Sequence, residues 1–219
     1  MDQQLESVND VLKPKNATQR ISWAVDSFGD KLFCLSSAGI DSALILDLIA
    51  KSGHSIPIIH INTGFLDDKT LVFRDMLIRQ YGLKLYEFGP TTKQIDEIKK
   101  QRLWDHDLAE YLRITKLDPL SEAIKELGAS ALISGVRADQ TANRGTLKII
   151  GEGNDGELRV HPVLDWSRYK VNAYIKSEGL LRHPLYAVGF NSLGDKQMTI
   201  PAASRTGRAV MECGIHVKK

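Results

Sequence analysis

The chain of 219 residues has two cysteines, Cys34 and Cys213, lying 179 positions apart. That excludes a disulfide framework and any Cys-x-x-Cys metal or redox pair, and a reducing, cytoplasmic setting is the expectation. No apolar run approaches the roughly 18 residues that a membrane span requires. The best stretch, 43–50, is interrupted by Asp47. Strong charge of either sign is missing as well. With 29 basic against 27 acidic side chains, the net charge of +2 is too small for a nucleic-acid-binding surface. The polar, acidic residues 1–10 contain no basic segment followed by an apolar one, so no secretory leader is expected. Internal repeats, low-complexity tracts and the Gly-Lys-Ser/Thr of a Walker loop are absent too.

What is present suits one α/β domain: apolar content of 42% and charged content of 26% are ordinary globular values. Residues 1–16 are polar and end in Pro14-Lys15-Asn16, which predicts a loosely attached N-terminal segment. Asn16 and Gln19 have the spacing of a capping box, and Ile21, Ala24, Val25 and Phe28 continue with helical period. Residues 32–35 read as a short strand, followed by a glycine loop and an almost wholly apolar helix to about Ile49. The β-branched run 56–61 suits a parallel strand buried on both faces. The alternation goes on with a helix over 69–81, a strand over 83–88, helical stretches at 92–102, 107–115 and 120–127, and a strand over 131–135. Weaker strands are expected near Ile149 and Val160, and a last helix over 166–179. This pattern predicts a single doubly wound, mostly parallel sheet with helices on both faces. After Pro184 apolar periodicity fades. The expected organisation is therefore an N-terminal segment 1–16, a nucleotide-binding α/β domain 17–190 and a mobile C-terminal tail 191–219.

Two motifs carry chemistry. Ser36-Ser37-Ala38-Gly39-Ile40-Asp41-Ser42 turns from a strand into a helix, where small residues let backbone N–H groups approach an anion. Its Ser-x-Gly-x-Asp-Ser form resembles the phosphate loop of the adenine nucleotide alpha-hydrolase (PP-loop) superfamily. At the other end, Glu212-Cys213-Gly214-Ile215-His216 resembles the catalytic tail of the phosphoadenylylsulfate (PAPS) reductase family. Arg205-Thr206-Gly207-Arg208 is similar to the Arg-x-Gly-Arg stretch that precedes it there. Asn62-Thr63-Gly64, the run from Gly135 through Arg137 and Gln140 to Arg144, His183-Pro184-Leu185 and Ser192-Leu193-Gly194-Asp195 also have counterparts. The sequence departs from the family at Asn62, in place of Asp, at Leu66-Asp67-Asp68-Lys69, and in the Asp41-Ser42 form of the loop, which is typical of ATP pyrophosphatases.

The resemblance implies thioredoxin-dependent reduction of PAPS to sulfite and adenosine 3′,5′-bisphosphate in assimilatory sulfate reduction. A thiolate suits attack on a sulfonate sulfur, giving an S-sulfonate on Cys213, with His216 as a second catalytic candidate. No second cysteine is placed to resolve that adduct, so thioredoxin or glutaredoxin is implied as electron donor. Substrate contacts are expected from Ser36, Ser37, Gly39, Asp41, Ser42, Thr63, Gly64, Gln140 and His183. Arg137, Arg144, Arg205 and Arg208 are the planar donors suited to clamp so anionic a ligand. Relatives that reduce adenylylsulfate (APS) hold a four-iron cluster on cysteines at positions that read here Tyr111-Leu112 and Asp195-Lys196-Gln197-Met198. No iron–sulfur cluster, other metal or bound cofactor is therefore expected. A homodimer is implied by the resemblance. A cluster-free APS reductase is the nearest alternative, and an ATP pyrophosphatase or a non-catalytic nucleotide-binding relative are further ones.

Overall fold

The computed structural model describes residues 2–202 and Ile215. Two helices, α1 (Asp2–Leu12) and α2 (Ala17–Phe28), lead into strand β1 (Leu32–Leu35) and helix α3 (Ser42–Lys51). There follow β2 (Ile58–Ile61), α4 (Asp68–Tyr81), β3 (Leu85–Phe88), α5 (Thr92–Gln101), α6 (Leu103–His106) and α7 (Leu108–Leu112). A π-helical turn, Arg113–Leu117, joins α7 to α8 (Asp118–Leu127). Then come β4 (Ala131–Ile133), β5 (Ile150–Glu152), β6 (Leu158–Val160) and α9 (Arg168–Ser177).

The six strands form one sheet in the order β3-β2-β1-β4-β6-β5. All pairs are parallel except β5 with β6, which are antiparallel. Each central strand is buried throughout because helices cover both faces. Leu32 and Cys34 of β1 point into a core shared with α2, α3, α4 and α9, whereas Phe33 and Leu35 pack against Leu120, Ala123 and Ile124 of α8. That double burial explains why these strands read as continuous apolar runs. The expected doubly wound sheet is thus observed.

The N-terminal segment differs from its expectation. Residues 2–12 are helical, Leu12 is fully buried, and buried Arg20 of α2 donates to the carbonyls of Leu12 and Lys13. The side-chain amide of Asn9 donates to the Ile150 carbonyl at 2.9 Å and accepts the Ile150 N–H at 3.0 Å. Polar composition hid a helix in which Leu5, Val8 and Leu12 share one face, while Val11 is exposed. The capping box forms as read: the Asn16 side chain accepts the Gln19 N–H and the Gln19 side chain accepts that of Asn16.

Candidate active site

In the strand order, β2 and β3 lie on one side of β1, and β4, β6 and β5 on the other. The connections leaving β1 and β4 therefore diverge, and a crevice opens beyond their carboxyl ends. A cavity of about 210 Å³ occupies it. Ser36, Ser37, Gly39, Asp41 and Ser42 form one wall and Thr63 another, with Ser134 and Gly135 after β4 opposite and Gln140 and Arg144 beside them. Eight of the residues expected to contact substrate therefore stand on one cavity.

The loop between β1 and α3 is tightly made. Ala38 takes a left-handed backbone at φ +49°, unusual for a residue with a Cβ, and its N–H donates to Ser36 Oγ at 3.3 Å. The Ser36 carbonyl accepts from Nδ1 of His60 at 2.9 Å, which fixes the proton on that nitrogen. His60 is fully buried in β2 and burial lowers its pKa, so it holds the loop as a neutral donor. Asp41, at the start of α3, takes Nη1 of Arg137 at 3.2 Å and Nη1 of Arg168 at 2.5 Å on the same oxygen, Oδ2.

Behind the β2 connection sits a buried ion pair. Asp195 is 1% exposed, pairs with Nζ of Lys116, and accepts from Thr63 Oγ1 at 2.6 Å. Lys116 is delivered by the π-helical turn, a departure from α geometry often found where a helix serves a site. The Tyr111 hydroxyl, pushed well above its ordinary range by burial beside Asp195, accepts from Gln197 Nε2 at 3.2 Å. Residues 191–202 are thus tied to the domain and supply cavity wall through Asn191, Ser192, Leu193, Gly194 and Asp195.

Other expected contacts lie off the wall. His183 is buried behind Thr70: its Nδ1 accepts the Leu185 N–H at 3.1 Å and its Nε2 donates to Thr70 Oγ1 at 3.0 Å. Burial lowers its pKa to about 4. Gly64 has φ +76°, and a Cβ there would sit 2.5 Å from Ile95 Cδ1, so its role in the turn is steric. Arg137 is 1% exposed and also donates to Asp139 at 3.0 Å, which places it behind Asp41. Cys34 is wholly enclosed in β1. Arg205, Arg208, Cys213, His216 and the tail expected to be mobile lie outside the described residues, except that Ile215 stands on the cavity wall and packs against the Phe33–Leu35 face of the sheet. Lys116 and Arg168, both on the wall, were not singled out by sequence. Lys116 lies in a plain polar helical stretch, and nothing local in Ser167-Arg168-Tyr169 marks a ligand site.

The departures at 67–69 have a local structural use. The Asp67 side chain accepts the Lys69 N–H at 2.9 Å as N-cap of α4, and Asp68 places negative charge in the first turn. No cluster of three metal-ligating side chains occurs among the described residues, and no helix there is long and apolar enough to cross a membrane.

Comparison with known proteins bears on the family and the fold. A family profile described as the phosphoadenosine phosphosulfate reductase domain matches residues 31–201. A phosphoadenosine 5′-phosphosulfate reductase of Buchnera aphidicola is 32% identical over 97% of this chain and 91% of its own length. One of the same name from Synechococcus is 32% identical over 97% of each chain. The crystal structure of a phosphoadenylyl-sulfate reductase from Candida auris, in a phosphate complex, superposes with a TM-score of 0.81 at 23% identity, covering 91% of this chain and 98% of that one. An FMN adenylyltransferase from Candida glabrata reaches 0.57 at 19% identity, covering 80% and 58%. At these identities the two structures speak for the fold.

Proposed function

The chain belongs to the phosphoadenosine phosphosulfate reductase family, and from that premise we propose that it reduces PAPS to sulfite and adenosine 3′,5′-bisphosphate through an S-sulfonate on Cys213. The observation that carries this reading is Ile215 on the wall of the same cavity as the phosphate loop. Two residues of chain span at most about 7 Å, so the position of Ile215 supports delivery of the Cys213 thiolate to a sulfonate lying in the cavity. The adenylyl phosphate suits the backbone N–H groups at the start of α3, and Arg144 and Lys116 supply positive charge along the wall.

In the first step Sγ of Cys213 bonds to the sulfonate sulfur, the bond from that sulfur to the phosphate oxygen breaks, and the bisphosphate leaves with the electron pair. In the second a thiolate of an external dithiol attacks Sγ and sulfite departs. The second thiol then displaces Cys213, so the dithiol is oxidised by two electrons to a disulfide. Thioredoxin or glutaredoxin fits that requirement, since Cys34 is enclosed in the core. Arg205, Arg208 and His216 complete the proposed substrate and catalytic set. A homodimer, a cytoplasmic setting and the lack of a resident iron–sulfur cluster belong to the same proposal. The last is supported by the non-ligand residues Tyr111, Leu112 and Met198, which pack in an apolar cluster.

The test is sulfite release by purified protein from PAPS and from APS, each with and without thioredoxin. Release from PAPS that requires the dithiol protein is the expected result. Comparable kcat/KM with APS would instead make the protein a cluster-free APS reductase.

A further inference from the structure

Two guanidinium groups share one carboxylate oxygen at the mouth of α3, and they are held very differently. The Arg137 side chain is 2% exposed and bonds both Asp41 and Asp139, while its backbone N–H donates to Gln140 Oε1 at 3.1 Å. The Arg168 side chain is 37% exposed, and among the described residues its guanidinium bonds Asp41 alone. Its base is fixed, because the Arg168 N–H donates to Asp139 Oδ2 at 2.5 Å at the start of α9. Arg168 therefore has an anchored backbone, a long side chain on the cavity wall, and one replaceable partner. If it leaves, Asp41 keeps Arg137 as counter-charge.

We propose that Arg168 reads the second phosphate of the nucleotide, moving from Asp41 to a ribose-borne phosphate at the cavity rim when a 3′-phosphorylated nucleotide enters. The inference rests on the nucleotide reading of the cavity given above. The phosphate loop and the start of α3 serve the adenylyl phosphate, so a second phosphate on the ribose needs a further cation that can swing toward it, and Arg168, beside Asp41 and partly exposed, is within the cavity wall. A phosphate offers a planar fork of donors a bidentate partner of higher charge than a carboxylate. The exchange gives up a partly buried ion pair, Arg168 being 37% and Asp41 16% exposed, but Asp41 keeps its bond to Arg137. The other cations are less suited: Lys116 is committed to buried Asp195, and Arg144 donates to Gln140 at 2.5 Å.

The test is calorimetric binding of adenosine 3′,5′-bisphosphate and adenosine 5′-monophosphate to the full chain and to Arg168→Gln. The unaltered protein should prefer the bisphosphate. Arg168→Gln should lose about tenfold or more of its affinity for the bisphosphate while holding the monophosphate within about threefold. Arg168→Lys should fall between, since it keeps charge without the fork. Retained monophosphate binding also shows that the variant is folded. Equal loss on both ligands, no loss on either, or no preference in the unaltered protein would each overturn the assignment. Failure of the reductase reading looks different: sulfite is not released from PAPS, yet discrimination between the nucleotides still depends on Arg168.

Discussion

Cys34 and Cys213 divide the sulfur chemistry of the chain between them. Complete burial in β1 pushes the Cys34 thiol up to about 12, so it carries essentially no thiolate near neutrality. In the proposed mechanism the nucleophile is therefore Cys213. Cys213→Ser should abolish sulfite formation from PAPS while leaving affinity for adenosine 3′,5′-bisphosphate within about threefold, because the loop and arginines proposed to hold the nucleotide are untouched. Substantial turnover by that variant would end the mechanism. Three buried histidines make a second prediction. Burial lowers the pKa of His60, of His161 to about 3 and of His183 to about 4. Unfolded imidazoles bind protons near 6.5, so between about pH 6.5 and 4 the unfolded chain holds more protons than the folded one. Stability must fall as pH drops through that window. At His183 the reason is visible: protonating Nδ1 removes the acceptor of the Leu185 N–H. Melting temperature should decline by about 5 °C or more across the window, and His183→Asn should flatten the slope. A flat profile in the unaltered protein would contradict the buried neutral assignment.

At the scale of elements, the π-helical turn and the segment 191–202 meet in the Lys116–Asp195 pair, with Thr63 as third member. Removing one partner of a buried pair leaves an uncompensated charge and costs about 3–5 kcal/mol. Asp195→Ala should therefore lower the melting temperature by about 10 °C, and adding Lys116→Met should recover part of the loss, measured by thermal denaturation. A single variant as stable as the parent would show the pair to be superficial. Thr63 and Asp195 stood in motifs that the sequence marked, but their pairing with Lys116 was illegible because the three come from distant segments and Lys116 carries no local signal. Legibility elsewhere followed local physics. Strands β1 and β2 were readable because burial on both faces demands unbroken apolar runs, and α2 because Asn16 and Gln19 cap it. Strands β5 and β6, expected only weakly near Ile149 and Val160, have three residues each, too few for a period to show. The phosphate loop, Gln140 and Arg144 were identified by motif. Arg168 escaped because its role depends on Asp41, 127 positions away.

Over the whole molecule, the sheet order opens the cavity at one end of the sheet, so the loop and Ile215 meet on one wall-lined crevice. The proposed lack of a resident cluster can be checked on the intact protein: freshly purified material should be colourless, with iron well below about one atom per chain. Stoichiometric iron would require ligands that Cys34 and Cys213 alone cannot supply. The Asn9 amide has a consequence of another kind. Strand β5 ends the sheet, and an uncovered edge of unpaired N–H and C=O groups is a template on which another chain can polymerise. By occupying both backbone groups of Ile150, Asn9 imitates a neighbouring strand and closes that template with a side chain. Asn9→Ala should therefore show itself less in activity than in colloidal behaviour. Light scattering at rising protein concentration should reveal self-association in the variant and lower soluble yield on refolding. If the variant stays as monodisperse as the parent, α1 shields the edge by bulk alone.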